Sequence, residues 1–185
     1  MTGATRYILA SGSPRRRQLL KEVVPTFEVV KVDADETCLL DSPAQRVMYT
    51  AGIKAEGYPL SEGEVLVTAD TTVYCQGQFL GKPQDADEAT RMLDLLNHCV
   101  HSVWTGVCIR TTQWVDYFAS ESKVRIDMTA QEIAAYVATG SPLDKAGAYG
   151  IQDDLCKATL IEGELANVIG LPIRQLKQVL DLHRV

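Results

Sequence analysis

The sequence predicts a mixed α/β fold, with helices flanking a sheet that contains antiparallel strands. Residues 100–110 and 115–126 alternate apolar and polar side chains on either side of a polar turn, which is typical of an antiparallel pair. Elsewhere short apolar runs alternate with stretches of helical spacing, the pattern of an α/β protein. Together these observations argue against a purely parallel, doubly wound sheet.

The individual elements follow from local patterns. Residues 7–10 form a short apolar run typical of a buried strand. Ser13 is a good N-cap and Pro14 suits the first helical position, so a helix is predicted over 14–22. Gln76 and Gly77 are a hairpin signal between two short strands. Further strands are predicted at 27–30, 64–68, 73–75, 78–80 and 158–162, and further helices at 43–56, 85–96, 130–138 and 172–182.

Composition limits the possible classes of function. The 185 residues are 46% hydrophobic and 23% charged, which is ordinary for a soluble globular protein. The net charge of −6 argues against a general nucleic-acid binder. No apolar stretch approaches the roughly 20 residues of a membrane span, and a signal peptide is not evident, so we expect a cytoplasmic protein without membrane association. The five cysteines contain no C-x-x-C pair, so reduced thiols are expected rather than a zinc site or disulfide framework.

An arginine run beside the first predicted strand indicates a phosphate site. Ser11, Gly12 and Ser13 precede the helix start, and residues 15–17 are all arginine. Cations normally avoid a helix N-terminus, where the helix dipole is already positive. Backbone N–H groups, hydroxyls and guanidinium groups would together suit a polyanion. The alternative is that the arginines are solvated on a surface helix.

Charged residues on three further loops fit chemistry at a phosphoanhydride. Asp70 is predicted to end an apolar strand, where carboxylates of α/β folds commonly meet ligands. Lys82 lies in a rigid Gly-Lys-Pro turn, and Lys145 and Gln152 bracket a loop with two glycines. Glu36 belongs to an acidic cluster with residues 33 and 35. Carboxylates can hold a divalent cation or activate water, while cations neutralise phosphate oxygens. Each residue also has a simpler interpretation: Asp70 as a turn cap, Glu36 as a solvated charge, and Lys82 as an ordinary turn residue.

The ordered motifs resemble those of the Maf family of nucleoside triphosphate pyrophosphatases. The matching blocks are Leu9-Ala10-Ser11-Gly12-Ser13-Pro14-Arg15-Arg16, Ala69-Asp70-Thr71, Leu80-Gly81-Lys82-Pro83, residues 144–152 and residues 167–172. They stand in the family's order over nearly the whole chain. The resemblance implies a single Maf-like domain over 1–185, with a twisted, elongated sheet similar to that of inosine triphosphatase and two lobes around a central cleft.

The resemblance also implies roles for individual residues. Asp70 occupies the proton-acceptor position. The positions that set nucleotide specificity are matched by Arg15, Thr71 and Gln152. Other polar positions of the cleft are matched by Ser11, Arg16, Glu36, Lys54 and Lys82. Of these, Glu36 and Lys82 are expected to be catalytic, and the other three are expected to bind substrate. Lys145, in the same motif as Gln152, is expected to bind substrate, and Glu36 and Asp70 are expected to hold a divalent metal, Mg or Mn. A homodimer would be usual for such folds.

The implied reaction is metal-dependent hydrolysis of dTTP or UTP to the monophosphate and pyrophosphate, which would remove unwanted nucleotides. The sequence departs from the family pattern at residues 96–99, at Ser141, which replaces a glutamate before Pro142, and at 153–157, which replace a glycine-rich continuation. The departures at Ser141 and at Asp153 and Asp154 bear on the choice of base. Two alternatives therefore stay open. One is a pyrophosphatase of the same class that acts on another base. The other is a nucleotide-binding regulator of septum formation with little turnover.

Overall fold

The computed structural model describes residues 5–185. Its strands are β1 (Arg6–Ala10), β2 (Glu28–Val30), β3 (Glu64–Cys75), β4 (Gln78–Leu80), β5 (Val100–Arg110), β6 (Val115–Ile126) and β7 (Ala158–Glu162). Its α-helices are α1 (Pro14–Leu20), α2 (Pro43–Glu56), α3 (Ala86–Leu96), α4 (Ala130–Ala138), α5 (Leu165–Ile169) and α6 (Ile173–His183). Short 3-10 helices span Ser141–Asp144 and Ala146–Ala148.

The strands form one mixed sheet, as the sequence predicts. Over the described residues the sheet has seven strands in the order β2-β1-β3-β5-β6-β7, and β4 pairs with β3 outside this path. β1 is parallel to both β2 and β3, whereas β3 and β4, and likewise β6 and β7, are antiparallel. The mixed α/β class and the adjacency of the two long strands β5 and β6 are therefore confirmed.

Helix starts follow the capping signals in the sequence. Ser13 accepts a hydrogen bond from the backbone N–H of Arg16 at the start of α1. At the start of α4, Thr129 and Glu132 form a reciprocal capping box. These caps satisfy backbone N–H groups that a helix leaves without internal partners. The longest described helix, α2, has 14 residues, and none in the described part of the chain is long and apolar enough to cross a bilayer.

The chain divides into two compact units. Unit 1 comprises residues up to Asp70, together with Thr105–Ser120 and Gly170–Val185. In its core α2 packs against the sheet so closely that a Cβ at Gly106 would lie 2.3 Å from the backbone carbon of Val47. The buried core residues of unit 1 include Ile8, Ala10, Ala51, Ala55, Leu66 and Cys108.

Unit 2 comprises Thr71–Trp104 and Glu121–Ile169. Helices α3 and α4 supply much of its apolar core, which also takes in the ends of β3 and β6. Its largest fully buried side chains include Leu93, Leu96, Ile126 and Tyr136. The three long strands β3, β5 and β6 each contribute residues to both units.

One strand end was predicted wrongly, and one short helix has no counterpart among the predictions. The strand predicted to end near Asp70 continues to Cys75, so Asp70 lies in the middle of β3 rather than at its end. The β-branched residues 71–73 favour continuation, and β3 gains a new partner where Val73 pairs with Leu80. Helix α5 was not predicted, because its five residues are too few for helical periodicity to be recognised.

Candidate active site

Strand register brings predicted site residues of unit 1 together beyond the segment over which β1 and β3 pair. β1 pairs with β3 so that Leu9 faces Val67. Ser11 and Asp70 follow these residues by two and three positions, so they lie beyond the same end of the paired segment. β1 also pairs with β2, and the segment after β2 carries Glu36. The parallel arrangement therefore collects three separate parts of the chain.

Lys54 joins the two carboxylates that the sequence analysis singled out. From α2, its ammonium lies 3.1 Å from Asp70 Oδ1 and 3.2 Å from Glu36 Oε1. The side chains of Lys54 and Asp70 are only 14% and 19% exposed, whereas Glu36 is 54% exposed. Because partial burial excludes water, the contact with Asp70 is stronger than a surface ion pair.

Arg16 is the second cation of this group. Its Nε donates a hydrogen bond to the backbone carbonyl of Gly170 at 2.8 Å, and its Nη1 donates to Ser11 Oγ at 3.5 Å. Burial lowers the pKa of the guanidinium, while Asp70 and Glu36 raise it. An arginine stays charged under these influences. Arg16 thus places a fixed positive charge within electrostatic reach of both carboxylates.

The other two arginines of the run at 15–17 differ in exposure. Arg15 is half-buried, whereas Arg17 is exposed. Arg17 lines a surface pocket of about 320 Å³ together with Lys21, Pro25, Thr26, Phe27 and Val29. Thr71 is half-buried in β3 and is the first residue of unit 2.

In unit 2, two loops that carry predicted site residues are joined. The backbone N–H of Gly147 donates a hydrogen bond to the carbonyl of Gly81 at 3.0 Å, which ties the turn of Lys82 to the loop of residues 145–152. Gly147 has a φ of +70°, and a Cβ there would lie 2.8 Å from a methyl group of Val73. Glycine is required at this position by both backbone conformation and space.

Lys82 and Gln152 present polar groups that are available to a ligand. Both side chains are exposed, and within residues 5–185 neither forms a hydrogen bond or an ion pair. Lys145 differs, because its ammonium donates to Ser141 O at 2.7 Å, Ser141 Oγ at 3.0 Å and Asp144 Oδ1 at 2.8 Å.

The residue after Gln152 anchors this loop. Asp153 Oδ2 accepts hydrogen bonds from the Tyr136 hydroxyl at 2.5 Å and from Ser141 Oγ at 2.8 Å. The Lys145 ammonium lies 3.6 Å from the same oxygen. In the sequence, Asp153 stands out only as a departure from the family pattern, and Tyr136 is not among the predicted site residues. Position 136 reads as one more apolar member of α4, so the sequence carries no separate signal for its hydroxyl.

A buried pair supports the loop from β5. His101 is 3% exposed, and its Nε2 shares a hydrogen bond of 2.7 Å with the hydroxyl of Tyr149. The rings also meet edge to face with centroids 5.4 Å apart. Burial lowers the pKa of His101 to about 4, so the imidazole is neutral at physiological pH. His101 is therefore a structural support rather than a charged group.

The carboxylates of unit 1 have the chemistry of a magnesium or manganese site. Asp70 and Glu36 offer hard oxygen ligands, and both already face a cation in Lys54. Among residues 5–185, no cluster of three or more His, Cys, Asp or Glu side chains is arranged to hold a metal. Mg²⁺ is commonly bound through one or two carboxylates plus substrate phosphates, so this donor pair fits such an ion.

The predicted residues thus fall into two groups. In unit 1 the structure brings together Ser11, Arg16, Glu36, Lys54 and Asp70. In unit 2 the turn of Lys82 is tied to the loop of Lys145 and Gln152. The first group combines two cations with two carboxylates, and the second presents an exposed ammonium and an exposed amide.

Comparison with solved structures shows the class of fold. The Staphylococcus aureus Ham1 protein superposes with a TM-score of 0.57 at 11% identity, over 97% of this chain and 100% of that one. The molecule is therefore an α/β protein with the fold of the Ham1 protein.

Sequence comparison assigns the chain to a family, which is a more specific result than the fold. A family model described as "Maf-like protein" matches residues 6–183, and the chain belongs to the Maf family. Curated relatives named dTTP/UTP pyrophosphatase include one from Anaeromyxobacter sp., 40% identical over 184 residues that cover 96% of this chain and 89% of the relative. Relatives of the same name occur in Bacillus cytotoxicus, with 42% identity, 94% of this chain and 95% of the relative covered, and in Bacteroides thetaiotaomicron, with 40% identity and 91% of each chain covered.

Proposed function

We propose that this protein is a nucleoside triphosphate pyrophosphatase that hydrolyses dTTP or UTP to the monophosphate and pyrophosphate. The observation that carries the proposal is the contact of Lys54 with both Asp70 and Glu36, with Arg16 in electrostatic reach. Such a group combines a base for water with positive charge for phosphate oxygens. The curated relatives named dTTP/UTP pyrophosphatase support the choice of reaction and substrate.

Asp70 is the proposed proton acceptor. Its position within β3 fixes the backbone on both sides, and Lys54 holds Oδ1 at 3.1 Å. A carboxylate held in this way can take a proton from water as the water attacks the α-phosphorus. The electrons of the bond between that phosphorus and the bridging oxygen leave with pyrophosphate. Lys54 therefore orients the base, and its charge also attracts the substrate.

Other residues are proposed to bind the nucleotide. Ser11, Arg15 and Arg16 would bind phosphate oxygens, for which guanidinium groups are well suited. Lys82 would neutralise the leaving pyrophosphate, and its exposed ammonium is available for this. The proposed contacts that select the base come from Arg15, Thr71 and Gln152, with Lys145 binding substrate beside Gln152.

A divalent metal, Mg²⁺ or Mn²⁺, is part of the proposal. Asp70 and Glu36 would hold it together with phosphate oxygens of the substrate. When bound, such an ion neutralises phosphate charge and makes a bound water more acidic. In the metal-free protein Lys54 offsets one of the two negative charges of these carboxylates.

Location and assembly remain predictions. A role in cleansing the nucleotide pool is consistent with a cytoplasmic protein that binds neither membranes nor nucleic-acid polymers. The expected homodimer can be checked by light scattering coupled to gel filtration.

A nucleotide panel tests the proposal. The protein is incubated with each common nucleoside triphosphate plus Mg²⁺ or Mn²⁺, and pyrophosphate and orthophosphate are measured separately. We expect pyrophosphate from dTTP and UTP, and a loss of roughly a hundred-fold or more in kcat for Asp70→Asn, which is the usual contribution of a general base. Asp127→Asn is the matched control, because Asp127 is an exposed carboxylate paired with His98 and Arg125.

Three results would contradict the proposal. They are release of orthophosphate alone, full activity in Asp70→Asn, and absence of turnover with every nucleotide and metal. In the third case, calorimetry that detects nucleotide binding would favour the regulator hypothesis.

A further inference from the structure

The carboxylate of Asp153 is the centre of a hydrogen-bond network around the proposed nucleotide-binding loop. A single oxygen, Oδ2, accepts from Tyr136 at 2.5 Å and from Ser141 at 2.8 Å. The Lys145 ammonium lies 3.6 Å away and donates at 3.0 Å to the same Ser141 hydroxyl. Asp153 also directly follows Gln152 in the chain. The network therefore holds Lys145 directly and fixes the backbone next to Gln152.

Tyr136 ties the loop to helix α4 at a second point. Its phenol oxygen accepts a hydrogen bond from the backbone N–H of Gly150 at 2.9 Å while its hydroxyl donates to Asp153. The side chain is 1% exposed, and burial together with Asp153 raises the pKa of Tyr136 well above its usual value. Tyr136 consequently keeps its proton and acts as a permanent donor to the carboxylate.

The backbone at Gly150 packs closely against two members of this network. A Cβ added at Gly150 would lie 2.8 Å from Lys145 Cε and 3.0 Å from Asp153 Cγ. The Lys145 side chain is 11% exposed and that of Asp153 is 26% exposed. In such partly dry surroundings a charge-assisted contact is worth more than on an open surface.

We propose that Asp153 is a positioning residue, which fixes Lys145 and Gln152 in the arrangement that binds the nucleotide. This inference rests on the proposed function, because it assigns a task to the same loop. Asp144 is 64% exposed, so its ion pair with Lys145 is weak and a phosphate oxygen can replace it. Ser141 and Asp153 keep the ammonium in place during that exchange.

A carboxylate at position 141 could also contact the Lys145 ammonium. Lys145 Nζ lies 3.0 Å from Ser141 Oγ, so an aspartate at position 141 would reach the same ammonium. The exchange variant S141D/D153S moves the negative charge to the other side of the network without changing the net charge. If nucleotide binding requires one carboxylate beside Lys145, this variant should keep a nearly normal KM, whereas the single loss of Asp153 should raise KM.

The test compares four variants by steady-state kinetics with dTTP and UTP. For Asp153→Asn we expect KM to rise about ten-fold or more, which is the usual effect of losing hydrogen bonds to a charged group. We expect kcat to change little, because Asp153 does not contact the reacting atoms. Tyr136→Phe should raise KM in the same direction, and S141D/D153S should recover most of the loss. Asp154→Asn is the matched control, since Asp154 is the adjacent, exposed carboxylate.

Hydrogen exchange of the Gly150 amide separates this inference from the proposed function. Exchange should accelerate in Asp153→Asn and Tyr136→Phe and stay unchanged in Asp154→Asn. A wild-type protein inactive on every nucleotide overturns the proposed function, and the exchange rates then decide whether Asp153 orders the loop. An active wild type whose KM and Gly150 exchange are unchanged in Asp153→Asn overturns the positioning role. If Asp153→Asn does not fold, a folded S141D/D153S with normal KM supports the role, and one with raised KM contradicts it.

Discussion

Acid should weaken this protein through His101, the buried imidazole that contacts Tyr149 in the proposed nucleotide-binding loop. The pKa of His101 falls from 6.5 to about 4 because burial disfavours the charged form. The unfolded chain therefore binds more protons than the folded one between these values, so stability rises with pH across this range and is lost as pH falls. The full shift in pKa corresponds to about 3 kcal/mol of unfolding free energy, of which about 2 kcal/mol is lost between pH 7 and pH 5.

The assay is urea unfolding of the wild type and His101→Phe at several pH values from neutral to mildly acidic. Phenylalanine keeps the volume but cannot be protonated, although it leaves the Tyr149 hydroxyl without its partner and should lower stability at every pH. The decisive quantity is the slope of unfolding free energy against pH. The wild type should lose about 2 kcal/mol more than His101→Phe between pH 7 and pH 5. Equal losses in the two proteins would refute the assignment of acid sensitivity to His101.

Three further predictions concern packing, capping and thiol chemistry. Gly106→Ala should lower the unfolding free energy by about 3 kcal/mol or more, because its methyl group would meet the backbone of Val47 at 2.3 Å; a denaturation midpoint near the wild type would contradict this. Thr129→Ala should cost about 1 kcal/mol in the same assay while Thr129→Ser costs less, since serine keeps the cap. Hydrogen peroxide should join Cys75 and Cys99 in a disulfide, because their sulfurs lie 3.7 Å apart. In this reaction the two thiols are oxidised to one disulfide and the peroxide is reduced to water. Peptide mapping that finds the two residues not cross-linked would contradict this.

The sequence predicts elements well wherever a local pattern is long. The two runs at 100–110 and 115–126 coincide with β5 and β6, since eleven and twelve residues of alternation leave little ambiguity. The capping box at Thr129 likewise marks the start of α4. Asp70 shows the limit. A polar residue after an apolar run looks like a strand end, but pairing between β3 and β4 carries the strand past it.

The candidate site is harder to predict because its contacts join distant parts of the chain. Lys54 and Asp70 are separated by 16 positions, and only the packing of α2 brings the ammonium to the carboxylate. Lys54 was recognised through the family resemblance rather than by any local pattern. Asp153 is a second residue whose contacts could not be predicted from local sequence. Its acidity was visible as a departure, but its partner Tyr136 lies 17 positions earlier and looks like an ordinary core residue of α4.

In the proposed mechanism, water attacks the α-phosphorus of a nucleoside triphosphate with Asp70 as its base. Hydrolysis of dTTP or UTP in heavy-oxygen water tests this mechanism most directly, with mass spectrometry of both products. We expect the heavy oxygen to appear in the nucleoside monophosphate and not in pyrophosphate, and we expect Asp70→Asn to slow the appearance of label. Heavy oxygen in pyrophosphate, or in orthophosphate released in its place, would contradict this mechanism.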